Sequence, residues 1–340
     1  MYFYHQMITN PLHSVNYLAI ASLAVFALAS CKEEPIDPLP EVYITDSLTV
    51  SPKQKVLVIE TTGTWCQYCP NGAQSMIIAT NTFNDSVNRE TLIIPFASHT
   101  GDPLESSVQT ALNTAFPTTG VPNFYVQNVD AGQSILGPIA GALAATPKVG
   151  VIHTWTMNAT NDTIYVYPKV QFFENSTDAK YYVQSYVLVA AIDAKEYSGA
   201  GATVDLNQIS SVPIVTTGSG ATPTKWTGQA DPLTKKNAGD IYQHEHTPMT
   251  SGITPNAFGV ELDSINPLGD NFFEGDIFGS KYTPIVIKIP LNQDIQMQVV
   301  RQLMPNVKLE VATLIWAPRT DGELGVLFVN GHIDHNSTAP

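Results

Sequence analysis

Two cysteines separated by two residues, in Trp65–Cys66–Gln67–Tyr68–Cys69–Pro70, carry the strongest chemical signal in the chain. A thiolate is a nucleophile toward sulfur, and a neighbouring second thiol can release the mixed disulfide it forms. On this reading Cys66 attacks and Cys69 resolves. A structural disulfide staple, or half of a metal site, would use the same spacing. A four-cysteine zinc site is excluded, because the chain holds one other cysteine, Cys31.

Such a pair needs elements that hold it. Val56–Leu57–Val58–Ile59 is an apolar run of the kind buried on both faces of a sheet. A polar turn with Gly63 follows the run. Beyond the cysteines, Ala73, Met76, Ile77, Thr80 and Phe83 recur at helical spacing. The pair therefore sits where a buried strand hands over to a helix. The first turn of a helix carries partial positive charge and unpaired N–H groups, which stabilise a thiolate. Pro70 suits that first turn, where no N–H is required.

The stretch resembles the thioredoxin family: a hydrophobic strand, an acid at Glu60, then Trp65, Cys66 and Cys69. The resemblance implies an α/β thioredoxin-like fold and thiol–disulfide oxidoreductase activity. In that family's pattern Cys66 and Cys69 form the disulfide, and Glu60 is the buried carboxyl that exchanges a proton with Cys69. Gly120–Val121–Pro122, followed by the strand-like Phe124–Val129, matches the family's cis-proline landmark, so Pro122 would face the disulfide and position a partner chain. Gln67–Tyr68 departs from the Gly-Pro of thioredoxin itself, which leaves the redox direction open.

Further along, Leu92–Ala97 reads as a second buried strand, with Pro95 awkward in a central position. Leu104–Ala115 and Ile135–Ala145 read as helices. His99 and Asp102 follow the second strand, either close to the cysteines or in a plain polar loop. From Val149 the pattern becomes β-rich, with strands near 150–157, 163–173, 181–193, 286–289, 308–316 and 325–333. The expected fold is thus an α/β thioredoxin-like domain over residues 42–148, followed by an all-β sandwich over 149–335, immunoglobulin-like or jelly-roll. Residues 195–282 resist assignment. Within them, His244 and His246 lie two apart. On a regular strand they would share a face and could begin a metal site, with His332, Asp334 and His335 as distant further candidates. Solvated or hydrogen-bonded histidines explain the same pattern, so no metal is assigned and no cofactor is called for.

The N-terminus holds an apolar segment, Tyr17 to Ser30, shorter than a membrane span and suited to a signal peptide over residues 1–30. Leu28–Ala29–Ser30–Cys31 resembles a bacterial lipobox, which implies acylation of Cys31, with palmitate among the acyl chains. Residues 31–41, with Lys32–Glu33–Glu34 and three prolines, read as an extended tether. The formal charge of −14, from 16 basic and 30 acidic residues, argues against nucleic acid as a partner. The whole layout resembles the Bacteroidetes lipoprotein family named after a 28 kDa outer-membrane protein. That resemblance implies an outer-membrane lipoprotein, at the cell surface or on the periplasmic face. Client protein thiols or disulfides are the expected partners, with the outer membrane reached through the acyl anchor. The alternative is a surface binding or adhesion module in which the disulfide is only structural.

Overall fold

A computed structural model describes residues 43–84, 90–193, 209–210, 224–225, 243–254, 258–319 and 325–335. The signal segment, Cys31 and the tether lie outside the described residues. Residues from Tyr43 onward form one compact unit. In chain order its elements are β1 (Val56–Thr62), α1 (Cys69–Phe83), β2 (Ile93–His99), α2 (Ser107–Ala115), β3 (Asn123–Val126), β4 (Val129–Gly132), α3 (Leu136–Leu143), β5 (Val149–Met157), β6 (Thr163–Phe172), β7 (Tyr182–Asp193), β8 (Ile209–Ser210), β9 (Thr224–Lys225), β10 (Gln243–Ser251), β11 (Val260–Glu261), α4 (Leu262–Ile265), β12 (Ile277–Phe278), β13 (Ile287–Pro290), α5 (Ile295–Leu303), β14 (Leu309–Pro318) and β15 (Val326–Asp334).

The first sheet has the order β2-β1-β3-β4. β1 and β2 run parallel, and β3 joins β1 antiparallel, with Glu60 opposite Phe124. β2 is an edge strand, which reconciles Pro95 with a sheet because the edge leaves a missing N–H unneeded. The second sheet has the order β10-β7-β14-β15, with β11 also on β7. The third pairs β12, β6 and β13, with β5 on β6.

The packing of β7 and β14 shapes the whole unit. Both strands are buried along nearly their full length. On one face Val183, Val187, Val189, Val311 and Ile315 meet Val166, Val170 and Ile287 of the third sheet. On the other, Tyr186, Leu188, Ala312, Leu314 and Trp316 meet Leu57, Ile59, Ile94 and Phe96 of the first sheet, together with Val108, Leu112 and Phe116 of α2. The second sheet is therefore a middle layer. Separating it from either neighbour would expose side chains worth about 1.5–3 kcal/mol each when fully buried.

This corrects the expectation of an α/β thioredoxin-like domain followed by an all-β sandwich. The described residues are dominated by antiparallel sheet, and β1–β2 is the parallel strand pair among them. An α/β layer needs helices over both faces of a mostly parallel sheet. Here α1 and α3 cover one face, through Met76, Ala79 and Ile139, while the other is shared between α2 and the second sheet. The physical reason is legible in the packing. The long apolar run at Tyr181–Ile192 lacks a polar face, so it buries both sides and draws the first sheet into one core. Among the described residues no helix is long and apolar enough to cross a membrane.

Candidate functional site

β1 delivers the chain to a turn in which the Cys66 amide donates to the Gly63 carbonyl (3.0 Å) and the Cys69 amide donates to the Cys66 carbonyl (3.3 Å). α1 then starts at Cys69, with Pro70 in its first turn and no acidic side chain there, so its positive end is uncompensated. Cys66 and Cys69 are joined by a disulfide with sulfurs 2.06 Å and Cα atoms 5.4 Å apart. Both cysteines are buried, Cys66 at 3% and Cys69 at 0% exposure. The flanking Trp65 and Tyr68 are about half exposed, at 49% and 53%.

Glu60 lies beneath the helix. Its carboxyl is buried, and Oε1 has no hydrogen-bond partner among the described residues. Burial pushes its pKa up to about 8, opposed only by the Thr62 hydroxyl. Gly72 explains how the group fits. A methyl added at Gly72 would overlap Glu60 Oε1 and stand 2.8 Å from Pro122 Cβ. Positions 69 and 72 are one helical turn apart, so Glu60 and Pro122 pack against the helix face that carries Cys69. The Val121–Pro122 peptide bond is cis. Sequence reasoning named Glu60 and Pro122 and missed Gly72. A glycine on the inward side of a helix, three residues after the second cysteine, was the available signal.

The His99–Asp102 loop also reaches the cysteine segment. Asp102 Oδ2 accepts from the Thr64 amide (2.8 Å), and its other oxygen accepts from the Leu104 amide (2.8 Å). His99 Nδ1 is 2.7 Å from Asp102 Oδ2, both side chains being buried. Burial raises the Asp102 pKa, but the adjacent His99 and the two amides outweigh it and hold the carboxyl below its ordinary value. The Trp65 indole N–H donates to the Thr100 carbonyl (2.8 Å). The loop thus braces the turn leading to Cys66.

Between α1, β2 and β10 lies a cavity of about 290 Å³, lined by Glu60, Thr62, His99, His244, His246 and apolar side chains of α1 and β2. It links Glu60 to the histidine segment of β10. His244 and His246 do not act as one face of a regular strand. The register of β10 on β7 passes from Glu245 to Thr247, and His246 adopts φ +52°. The His244 ring stands edge-on to His99, with centroids 5.1 Å apart. His246 Nδ1 instead lies 2.8 Å from Glu310 Oε2, and His335 Nδ1 lies 2.6 Å from Glu310 Oε1. Of the distant candidates, His332 Nδ1 sits 3.1 Å from Lys55 Nζ, and Asp334 Oδ2 accepts from the Trp155 indole (3.2 Å). Glu310 was missed. A lone acid inside the apolar Leu309–Trp316 run was its signal, as Glu60 is in β1.

No family model matches the chain, and no curated protein matches it. Among solved structures it is similar to HBP35 of Porphyromonas gingivalis, with a TM-score of 0.48 at 15% identity, over 84% of this chain and 76% of that one.

Proposed function

We propose that this chain exchanges disulfides with client proteins through Cys66 and Cys69. One observation carries the reading: a bonded cysteine pair at the head of α1, with the buried carboxyl of Glu60 against the same helix face as Cys69. A client thiolate attacks Cys66 Sγ. The Cys66–Cys69 bond breaks and its electron pair leaves on Cys69 Sγ. Glu60, protonated below about pH 8, supplies the proton that turns Cys69 into a thiol. A second client thiol gives up its proton to solvent and attacks the client sulfur of the mixed disulfide; the bond to Cys66 breaks and Cys66 leaves as a thiolate, which takes up a proton from solvent. Two electrons have then passed from client dithiol to the pair, and the client leaves oxidised. Run backwards, the same steps reduce a client disulfide. Val121 and Pro122 position the client backbone, and the exposed Trp65 and Tyr68 give it a surface to rest on. The chain works outside the cytoplasm as a lipoprotein, acylated at Cys31 and held at the outer membrane.

A second reading, a binding or adhesion module with a structural disulfide, draws on the burial of both sulfurs. One experiment separates the two. Cys69→Ser should accumulate mixed disulfides with client proteins, Cys66→Ser should not, and a redox titration should place the pair above roughly −300 mV. A potential below that value, with nothing trapped by Cys69→Ser, would leave the staple as the role of the bond. Labelling with radioactive palmitate, compared between the native chain and Cys31→Ala, tests the anchor.

A further inference from the structure

Away from the sulfurs, three side chains converge from separate parts of the second sheet. His246 comes from β10, Glu310 from the start of β14, and His335 from the residue after β15. One ligand atom from each lies within 4.8 Å of the others. The geometry points to His246, Glu310 and His335 as a site for one divalent transition ion, with Zn2+ the best chemical match.

Two imidazole nitrogens and one carboxylate oxygen form a donor set that zinc takes, whereas calcium and magnesium prefer all-oxygen cages. Around a tetrahedral zinc, with bonds of about 2.0–2.2 Å, neighbouring ligand atoms stand about 3.3 Å apart. His246 Nδ1 lies 2.8 Å from Glu310 Oε2 and His335 Nδ1 lies 2.6 Å from the other oxygen, Oε1, while one ligand atom from each of the three side chains falls within 4.8 Å of the others. Side-chain shifts of up to about 1.5 Å would bring one oxygen and the two nitrogens to that spacing. Three protein ligands leave a fourth position, the arrangement that keeps a water or an exogenous group on the metal. His335, whose side chain is 35% exposed, puts that position within reach of solvent.

Two features single this cluster out. Glu310 is 3% exposed in the middle layer, on the face it shares with Ala312 and Leu314, so its carboxylate must have strong partners. The backbone at His246 adopts φ +52°, which non-glycine residues seldom hold, and His246 makes no ladder pair with β7 although Glu245 and Thr247 on either side do. The irregularity accompanies the turn of His246 toward Glu310, a direction its neighbour His244 does not share.

Without metal the same three groups form a hydrogen-bonded triad in which the imidazoles carry protons at Nδ1. Zinc would take the nitrogen lone pairs and displace those protons. The test is zinc titration of the untagged full chain, solubilised in detergent, stripped with chelator and kept oxidised so that no thiol competes. One Zn2+ per chain is expected, with an apparent binding enthalpy that varies with buffer ionisation heat. Co2+ should give the visible absorption of a four-coordinate nitrogen–oxygen site. His335→Ala, at the exposed ligand, should lower zinc affinity at least about 10-fold while leaving the circular dichroism unchanged. Glu310→Gln should do the same, and if that variant does not fold, His246→Ala replaces it. Absence of stoichiometric zinc binding, or affinity unchanged in His335→Ala, would overturn the assignment.

Discussion

Glu60 and Glu310 are a natural pair for comparison. Each sits in an apolar strand, in the first and second sheets respectively, and each is 3% exposed. Burial pushes both carboxyl groups toward the neutral form. For Glu60 the Thr62 hydroxyl is a weak opponent, and the pKa rises to about 8. For Glu310 hydrogen bonds and positive charge from His246 and His335 more than reverse the burial effect, and the pKa falls to about 2. Equal burial therefore yields a proton donor in one sheet and a fixed anion in the other. Partners, not depth, decide which. The first arrangement suits proton traffic beside a sulfur pair; the second suits holding a cation.

The largest test of this contrast is Glu310→Ala. It strips the counter-charge from His246 and should cost about 4 kcal/mol in urea unfolding at pH 7. A cost below about 1 kcal/mol would mean that the histidines need no anion and that the contrast is not real.

Gly72→Ala should come next, at about 2–3 kcal/mol, since its methyl overlaps Glu60 and crowds Pro122. Thermal unfolding measures the cost, and the rate of reduction of a small aromatic disulfide should fall with it. Unchanged stability together with an unchanged rate would remove Glu60 from the helix face of Cys69.

Glu60→Gln has a smaller effect with a distinctive pH signature. The folded-state pKa of Glu60, about 8, lies above its ordinary value of 4.5, so the folded chain holds the proton more tightly than the unfolded chain. Its contribution to stability is therefore full below about pH 4.5, declines as pH rises and is gone above about pH 8. Glu60→Gln should flatten that decline. It should be more stable than the native protein at pH 9, with no advantage at pH 4. Parallel stability–pH curves for the two proteins would contradict the assignment.

Thr62→Val should give the smallest change. Losing the hydroxyl that favours the ionised form should move the midpoint of the native pH dependence upward by less than about one pH unit. A downward movement would show that the hydroxyl stabilises the neutral carboxyl instead.

Much of the sulfur centre was legible along the chain, because its parts are local. Strand, turn, cysteines and helix occupy one run from Val56 to Phe83, and short-range chemistry places them. Pro122 was legible only through a resemblance. Gly72 was overlooked because its role is to leave room, which no residue pattern announces. The β-strands of the second half were broadly readable from their apolar runs. Their division into layers was not: alternation shows that a strand has two faces, but not which sheet covers each. His244 and His246 illustrate the same limit, since regular spacing implies a shared face and the irregularity at His246 abolishes it.

By itself the amino-acid sequence determined which groups could do chemistry: the cysteine pair, the acid in the strand before it, and a set of histidines. Those are properties of residue type and near-neighbour spacing, within reach of hydrogen bonds and helix turns. Only the tertiary structure decided that β7 and β14 form a middle layer, that Gly72 admits Glu60, and that Glu310 draws His246 and His335 together. These outcomes depend on strands far apart in the chain competing to bury the same apolar surfaces, and that competition is settled by packing across the whole unit.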